Sequence, residues 1–428
     1  MIQPEIIRSH YASAAALYAQ YGVDAAAALR QMQHLPVSLH CWQGDDVTGL
    51  EHASGGASGG IMSTGQYPGK SRTGDELRSD IDQAMSLLPG RQRINLHASY
   101  AELNGETVDR DAYETRHFSR WIEWAKARDI AIDFNPTCFG HPLAADNLTL
   151  SHPDDKIRHF WIDHCKASRK IASEIGRALG KPVINNIWIP DGMKDMTADR
   201  TLYRRLLRDA LDEILAVPYP ADTLIDAVEC KLFGVGVESY TVGSHEFYMG
   251  YVAHARANGH KDLLLTLDMG HFHPTETIAD KISSLLLFNP KLLIHVSRGI
   301  KWDSDHVVIT DDNVLDVMRE IKRADGFGRV YLATDFFDGS INRITAWVVG
   351  IRATQKAILA ALLEPTDLLK QVEREGRLSD RLALMEEART LPFAAVWNQY
   401  CLDEGVPVGS DYLDAIHAYE TNVLSRRV

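Results

Sequence analysis

Five carboxylates and two imidazoles in the second half of the chain are spaced so that they can act together. The stretch DMGH, 268–271, sets Asp268 three residues before His271. The stretch KWDSDH, 301–306, alternates Asp303 and Asp305, which turns two carboxylates to one side. Glu229, His295 and Asp335 each close a short apolar run. Carboxylates that converge raise one another's pKa unless a counter-charge is present. A divalent cation removes that penalty, and two remove it better. Oxygen and nitrogen ligands without thiolate suit Mn²⁺, Mg²⁺, Co²⁺ or Zn²⁺. Two cations need roughly seven or eight ligand atoms, which this set supplies.

Other residues stand close to that group. Lys231 lies two residues past Glu229, so strand alternation puts both side chains on one face. It can polarise a substrate oxygen or simply neutralise a carboxylate. His97 can contact substrate or be a satisfied core histidine. Trp188 and Trp42 can stack on a sugar or exclude water. Phe337 can wall off an apolar pocket. His273, His306 and Asp338 are read as supporting or surface groups. Cys138 is assigned no reactivity.

These positions make sense only if the fold gathers them. Eight short apolar runs recur along the chain, at 36–42, 93–97, 130–135, 183–188, 226–229, 263–268, 292–296 and 330–335. Segments of helical periodicity separate them, among them 154–179, 244–258 and 313–323. Such alternation predicts a parallel sheet, and eight repeats predict closure into a (β/α)8 TIM barrel of the α/β class. The runs end on His40, His97, Asn135, Asn186, Glu229, Asp268, His295 and Asp335. In such a barrel these ends form the active-site face. Three regions follow: N-terminal helices over 1–35, the barrel over 36–362, and a helical C-terminal extension over 363–428. That extension is expected at subunit interfaces, with packing on the barrel's own outside as the alternative. The glycine-rich segment 43–72 follows the first run and is expected as a mobile loop over the mouth.

Composition excludes several classes. The 428 residues carry a net charge of −13, with no concentrated basic stripe, which argues against nucleic-acid binding. No run approaches the ~20 apolar residues of a membrane helix. Five widely spaced cysteines with no CxxC argue against disulfides and thiolate zinc. No secretory leader is evident at the N-terminus, and a reduced, soluble, cytoplasmic protein is expected. GxSxG and a complete GxGxxG are absent, and the stretch 65–71 lacks a glycine that a P-loop needs.

Longer stretches carry a family resemblance. They are LPVSLHCWQGDDV (35–47), FWIDHCKASR (160–169), NIWIPDGMKD (186–195), ESYTVGSHEFYMGY (238–251), DMGHFHPTE (268–276), HVSRGIKWDSDHVV (295–308) and DFFDGSINRI (335–344). Through them the chain resembles, nearly end to end, the enterobacterial type of the L-rhamnose isomerase family, whose barrel is related to xylose isomerase. The resemblance implies conversion of L-rhamnose to L-rhamnulose, the first step of L-rhamnose catabolism, in a homotetramer with two divalent cations per subunit. Mn²⁺ is the first choice, with Zn²⁺, Co²⁺ or Mg²⁺ as alternatives. It implies one cation on Glu229, Asp268, His295 and Asp335, and another on His271, Asp303 and Asp305. Lys231, His97 and Trp188 would line the sugar site, to which the position of Phe337 after the eighth run adds an apolar wall. Only 254–261, before the sixth run, is longer than the family pattern.

For this site type a metal-assisted hydride shift is the economical mechanism, with Lys231 stabilising charge on O1. Proton transfer through an enediol, with Asp335 as base, is the rival. Other metal-dependent barrels remain as alternatives: an epimerase or an endonuclease on abasic DNA, the latter opposed by the acidic charge. A non-catalytic sugar-binding protein is the third, and the ligand set opposes it.

Overall fold

The computed structural model describes residues 2–51, 61 and 63–427. All eight apolar runs are strands, and in five of them neighbouring residues serve different apolar cores. The strands are β1 (Val37–His40), β2 (Gln92–His97), β3 (Ile132–Asn135), β4 (Val183–Ile187), β6 (Leu224–Glu229), β8 (Leu264–Asp268), β9 (Leu292–Val296) and β10 (Val330–Thr334). They close into a parallel barrel in the order β1-β10-β9-β8-β6-β4-β3-β2. Val183, Val228, Leu265 and Ile294 face the helices, in a core with Trp121, Trp161 and Trp347. Their neighbours Ile184, Ala227, Leu264 and Leu293 form a separate cluster inside the barrel. The two-residue period of a strand produces that division.

Half of the interior is polar, which the sequence reading did not anticipate. On β1 to β3, Asp133 accepts from Ser38 Oγ at 2.7 Å and from Arg93 Nη2 at 2.6 Å. Asn135 Nδ2 donates to Asn95 Oδ1 at 2.6 Å. The buried carboxylate is tolerated because a guanidinium grips it in two places.

Fourteen α-helices are present among the described residues: α1 (Pro4–Gln20), α2 (Ala25–Met32), α3 (Gly74–Met85), α4 (Ser119–Ala127), α5 (Asp155–Leu179), α6 (Arg200–Leu215), α7 (His245–Ala257), α8 (Ala279–Phe288), α9 (Asp312–Arg323), α10 (Arg343–Leu362), α11 (Thr366–Arg374), α12 (Leu378–Arg389), α13 (Phe393–Asp403) and α14 (Tyr412–Asn422). None is by itself long and apolar enough to cross a membrane. Helix α5 lies so close to the barrel that a Cβ on Gly176 would meet Thr223 O at 2.1 Å. Alanine in a helix interior normally gains ~1 kcal/mol over glycine. Here Gly176→Ala is expected to cost about 1–3 kcal/mol instead, through overpacking, read as a lower urea midpoint.

The C-terminal tail divides in two. Helix α13 packs against α1, and α14 against α10. Tyr419 Oη donates to Asp80 at 2.8 Å, and Arg427 grips the same carboxylate. That part therefore lies on the outside of its own barrel. Helix α12 has no buried residue and exposes Leu378 and Leu382.

A small ribbon also escaped the sequence reading. Strands β5 (Gly192–Met193) and β7 (Tyr240–Thr241) pair antiparallel between the loops after β4 and β6. Two-residue strands leave no periodicity to read. The ribbon matters because it ties down the segment carrying Lys231. Lys231 N donates to Gly243 O at 3.0 Å, and Thr241 Oγ1 to Leu232 O at 2.9 Å.

Candidate metal centre

The ends of β6, β8 and β9, with the residue after β10, bring four side chains to one point. Glu229, Asp268, His295 and Asp335 each offer a ligand atom, all within 4.8 Å of one another. His295 Nδ1 lies 3.4 Å from Glu229 Oε2, 3.6 Å from Asp335 Oδ2 and 3.8 Å from Asp268 Oδ2. Parallel register sets this up: Asp268 pairs directly with His295 across β8 and β9.

Neighbours hold each carboxylate by one oxygen. Asn186 Nδ2 donates to Glu229 Oε2 at 2.5 Å, and Thr266 Oγ1 fixes Asn186 at 2.7 Å. Ser297 Oγ and Gly270 N both donate to Asp268 Oδ1 at 2.6 Å. Trp42 Nε1 donates to Asp335 Oδ1 at 3.0 Å. Glu229 Oε1, Asp268 Oδ2 and both ring nitrogens of His295 are buried without a hydrogen-bond partner among the described residues. Buried polar atoms are nearly always satisfied. Orphaned His295 Nδ1 and Asp268 Oδ2 lie 3.8 Å apart with Glu229 Oε2 and Asp335 Oδ2 beside them, and such hard oxygen and imidazole donors fit a divalent cation, so the residues present match that group.

The electrostatics agree. Burial pushes Asp268 up to about 7, with Asp335 and Glu229 adding to it and the nearby histidines opposing. Burial works against a charged His295, yet Glu229 and Asp335 hold it well above the ordinary histidine range.

A family model described as L-rhamnose isomerase (RhaA) matches residues 5–427. The chain belongs to the L-rhamnose isomerase family. It is 55% identical over 410 residues to the L-rhamnose isomerase of Salmonella paratyphi A, covering 96% of each chain. The L-rhamnose isomerase of Salmonella typhimurium (strain LT2) matches at the same identity and coverage. Among solved structures, a xylose isomerase domain protein from Alicyclobacillus acidocaldarius superposes with TM-score 0.45 at 13% identity, over 77% of this chain and 99% of that one.

In this family member the rim residues lie around the inner cluster but form no second one among the described residues. Lys231 Nζ donates to Asp303 Oδ2 at 2.8 Å, and His271 Nε2 lies 3.3 Å from the same oxygen. His271 Nδ1 contacts Cys230 O at 2.8 Å, which leaves Nε2 turned to Asp303. Burial opposes protonation of His271, but Asp303 and Asp268 hold it at about 9. Burial, and then Asp303, Asp335 and Asp268, push Asp305 well above the ordinary carboxylate range.

Glu229, Lys231, His271, His295, Asp303, Asp305 and Asp335 line one pocket with His97, Trp188 and Phe337. Burial lowers His97 to about 4, so its ring is neutral. It is packed edge-on by Trp42 at 4.6 Å and Phe139 at 5.4 Å between ring centroids. Trp188 lies under Lys231 Nζ, 4.9 Å from ring centre to nitrogen, with its own Nε1 unpartnered.

Three supporting candidates fall away from the pocket. Asp338 accepts from Ser340 and brackets Gln43 through its backbone. His273 pairs with Thr275, and His306 with Ser304. Val47, Ile61, Phe139, Val235 and Trp302 join the pocket without having been singled out for it. Asn186, Thr266 and Ser297 were missed as holders of the carboxylates. Asn186 at least showed as a polar strand end; Ser297 offered no signal.

Within the segment 43–72, Val47 and Ile61 reach the pocket, while residues 52–60 and 62 lie outside the described residues. Tyr67 N donates to Gly339 O at 2.8 Å, and Gly339 N to Thr64 O at 3.0 Å. At Gly65, φ is +117° and a Cβ would meet Gly339 C at 2.2 Å, so only glycine fits there.

Proposed function

We propose that this chain interconverts L-rhamnose and L-rhamnulose, opening the catabolism of that sugar. Family membership supports the substrate, and the single observation that carries the chemistry is the ring of orphaned ligand atoms at the barrel mouth. Two divalent cations per subunit, Mn²⁺ first, are the proposed cofactors. Glu229, Asp268, His295 and Asp335 would hold one, and His271, Asp303 and Asp305 the other. Cations held there supply Lewis acidity, polarising sugar oxygens and easing proton loss from a hydroxyl or water.

The remaining work falls to the chain's own groups. Lys231, kept cationic by Asp303 against its burial, donates to O1 as negative charge grows there. Neutral His97 and Trp188 Nε1 offer hydrogen bonds to sugar hydroxyls. Trp42, Phe139, Trp188 and Phe337 exclude water from the reacting carbons. In that shelter the hydrogen on C2 passes with its electron pair to C1, while the O2 proton goes to O1. Homotetramer assembly in the cytoplasm is part of the same proposal, with exposed α12 as the segment available to a neighbouring subunit.

The test is a ketose assay on L-rhamnose run in deuterated water. L-Rhamnulose without deuterium at C1 is the expected product. Substantial deuterium at C1 would transfer the chemistry to an enediol with Asp335 as base. An epimeric aldose instead of a ketose would overturn the isomerase reading.

A further inference from the structure

The polar half of the barrel interior ends in a cavity at the face opposite the metal centre. It measures about 320 Å³ and opens where β1 and β10 begin, between His34, Pro36, Phe327 and Arg329. Barrel interiors are usually filled by bulky branched side chains. Here Ser38 and Ala333 line the cavity instead and leave the space. It reaches up the barrel to Asn186, the residue that holds Glu229.

Hydrogen-bonding capacity in this cavity is one-sided. Asp133 is fully used: Oδ1 accepts from Arg93 Nη2 and Ile184 N, and Oδ2 from Ser38 Oγ and Arg93 Nε. Arg93 Nη1 has no protein acceptor among the described residues. Arg329 donates only to the carbonyls of Pro290, Leu286 and Asn289, through Nε and Nη2. It has no carboxylate partner among the described residues, and its Nη1 is free. Asn95 is 2% exposed, and its Oδ1 accepts from Asn135, but its Nδ2 has no acceptor among the described residues. Residues with donors to spare therefore line the cavity, and the one carboxylate among the lining residues, Asp133, is fully used. Ile184, Leu293, Phe327 and Ala333 supply an apolar wall.

We propose that the barrel floor is a second ligand site that takes a small aliphatic carboxylate. One guanidinium without an acid partner matches one negative charge, and its planar fork matches a carboxylate. Phosphate has no aliphatic part to meet the apolar wall, and a neutral amide would waste the charge. The apolar wall takes the aliphatic part.

Titration calorimetry on the Mn²⁺-loaded full-length protein tests this, with butyrate, butyramide and inorganic phosphate as probes. Butyrate is expected to bind once per chain, unaffected by saturating L-rhamnose. Butyramide and phosphate should bind at least about tenfold more weakly, the scale of one charge-assisted hydrogen bond. Arg329→Gln should weaken butyrate by about tenfold and leave the KM for L-rhamnose unchanged. Ala333→Leu, which fills the cavity, should abolish binding; if it fails to fold, Arg329→Gln carries the test alone. Competition with L-rhamnose, equal binding of butyramide or phosphate, or full butyrate affinity in Arg329→Gln would each overturn the proposal.

Discussion

Replacing Lys231 with Met is expected to lower kcat about 10²–10³-fold while KM hardly moves, the signature of an interaction made mainly in the transition state. Methionine keeps an unbranched stem over Trp188, so packing survives while the charge is lost. In the structure the ammonium donates to Asp303 Oδ2 at 2.8 Å and is buried beside the pocket. Two roles fit that position. If Lys231 only neutralises Asp303, a cation can take over, and excess Mn²⁺ should restore activity to Lys231→Met. If it donates to O1, no amount of Mn²⁺ restores kcat, even though the variant should retain metal at least as well, having lost a competing positive charge. Measuring kcat and metal content per chain across a Mn²⁺ series separates the two, and recovery at high Mn²⁺ would sink the substrate role.

The inner cluster was legible in the sequence because two periodicities coincide there. Strands buried on both faces read as apolar runs, and an acid or imidazole at the end of such a run has few other places to go. Glu229 and Asp268 are terminal strand residues, His295 is the last but one of β9, and Asp335 follows directly after β10. The groups that orient them were not legible. Ser297 reaches Asp268 only because a parallel ladder sets β9 beside β8, and pairing register is a property of the closed barrel. The polar interior was hidden for the same reason. Ser38, Arg93 and Asp133 sit on strands that read as mainly apolar, and only closure turns them toward one another. The tail's helices were readable from their period, but which face meets α1 and which stays exposed depends on the barrel surface beneath.

Removing divalent cations with EDTA is expected to abolish isomerisation, and adding Mn²⁺ to restore it, with an affinity that climbs steeply with pH. The sign comes from the cation-free cluster. His295 is held well above the ordinary histidine range by Glu229 and Asp335 against its burial, so it is protonated at pH 7. Asp268, raised to about 7 chiefly by burial, is then about half protonated. A ligand must be deprotonated to bind a metal, so uptake releases protons. Below pH 7 the affinity for Mn²⁺ should fall by up to about two decades per pH unit, one for each proton displaced. Stability should respond in the opposite sense without metal. Folded-state pKa values raised above their unfolded values stabilise at low pH and lose that contribution as pH rises. For Asp268 the loss runs from the ordinary aspartate value of 3.8 to about 7. For His271 it runs from 6.5 to about 9, where Asp303 and Asp268 have raised the ring despite burial. Below about pH 7 buried histidines such as His97, lowered to about 4, work in the opposite sense, so the cation-free protein should melt at progressively lower temperature from about pH 7 to about 9, while the gain in melting temperature on adding Mn²⁺ grows over the same interval. A gain independent of pH would mean that the buried cluster does not bind the cation, and the orphaned atoms of Glu229, Asp268 and His295 would need another partner.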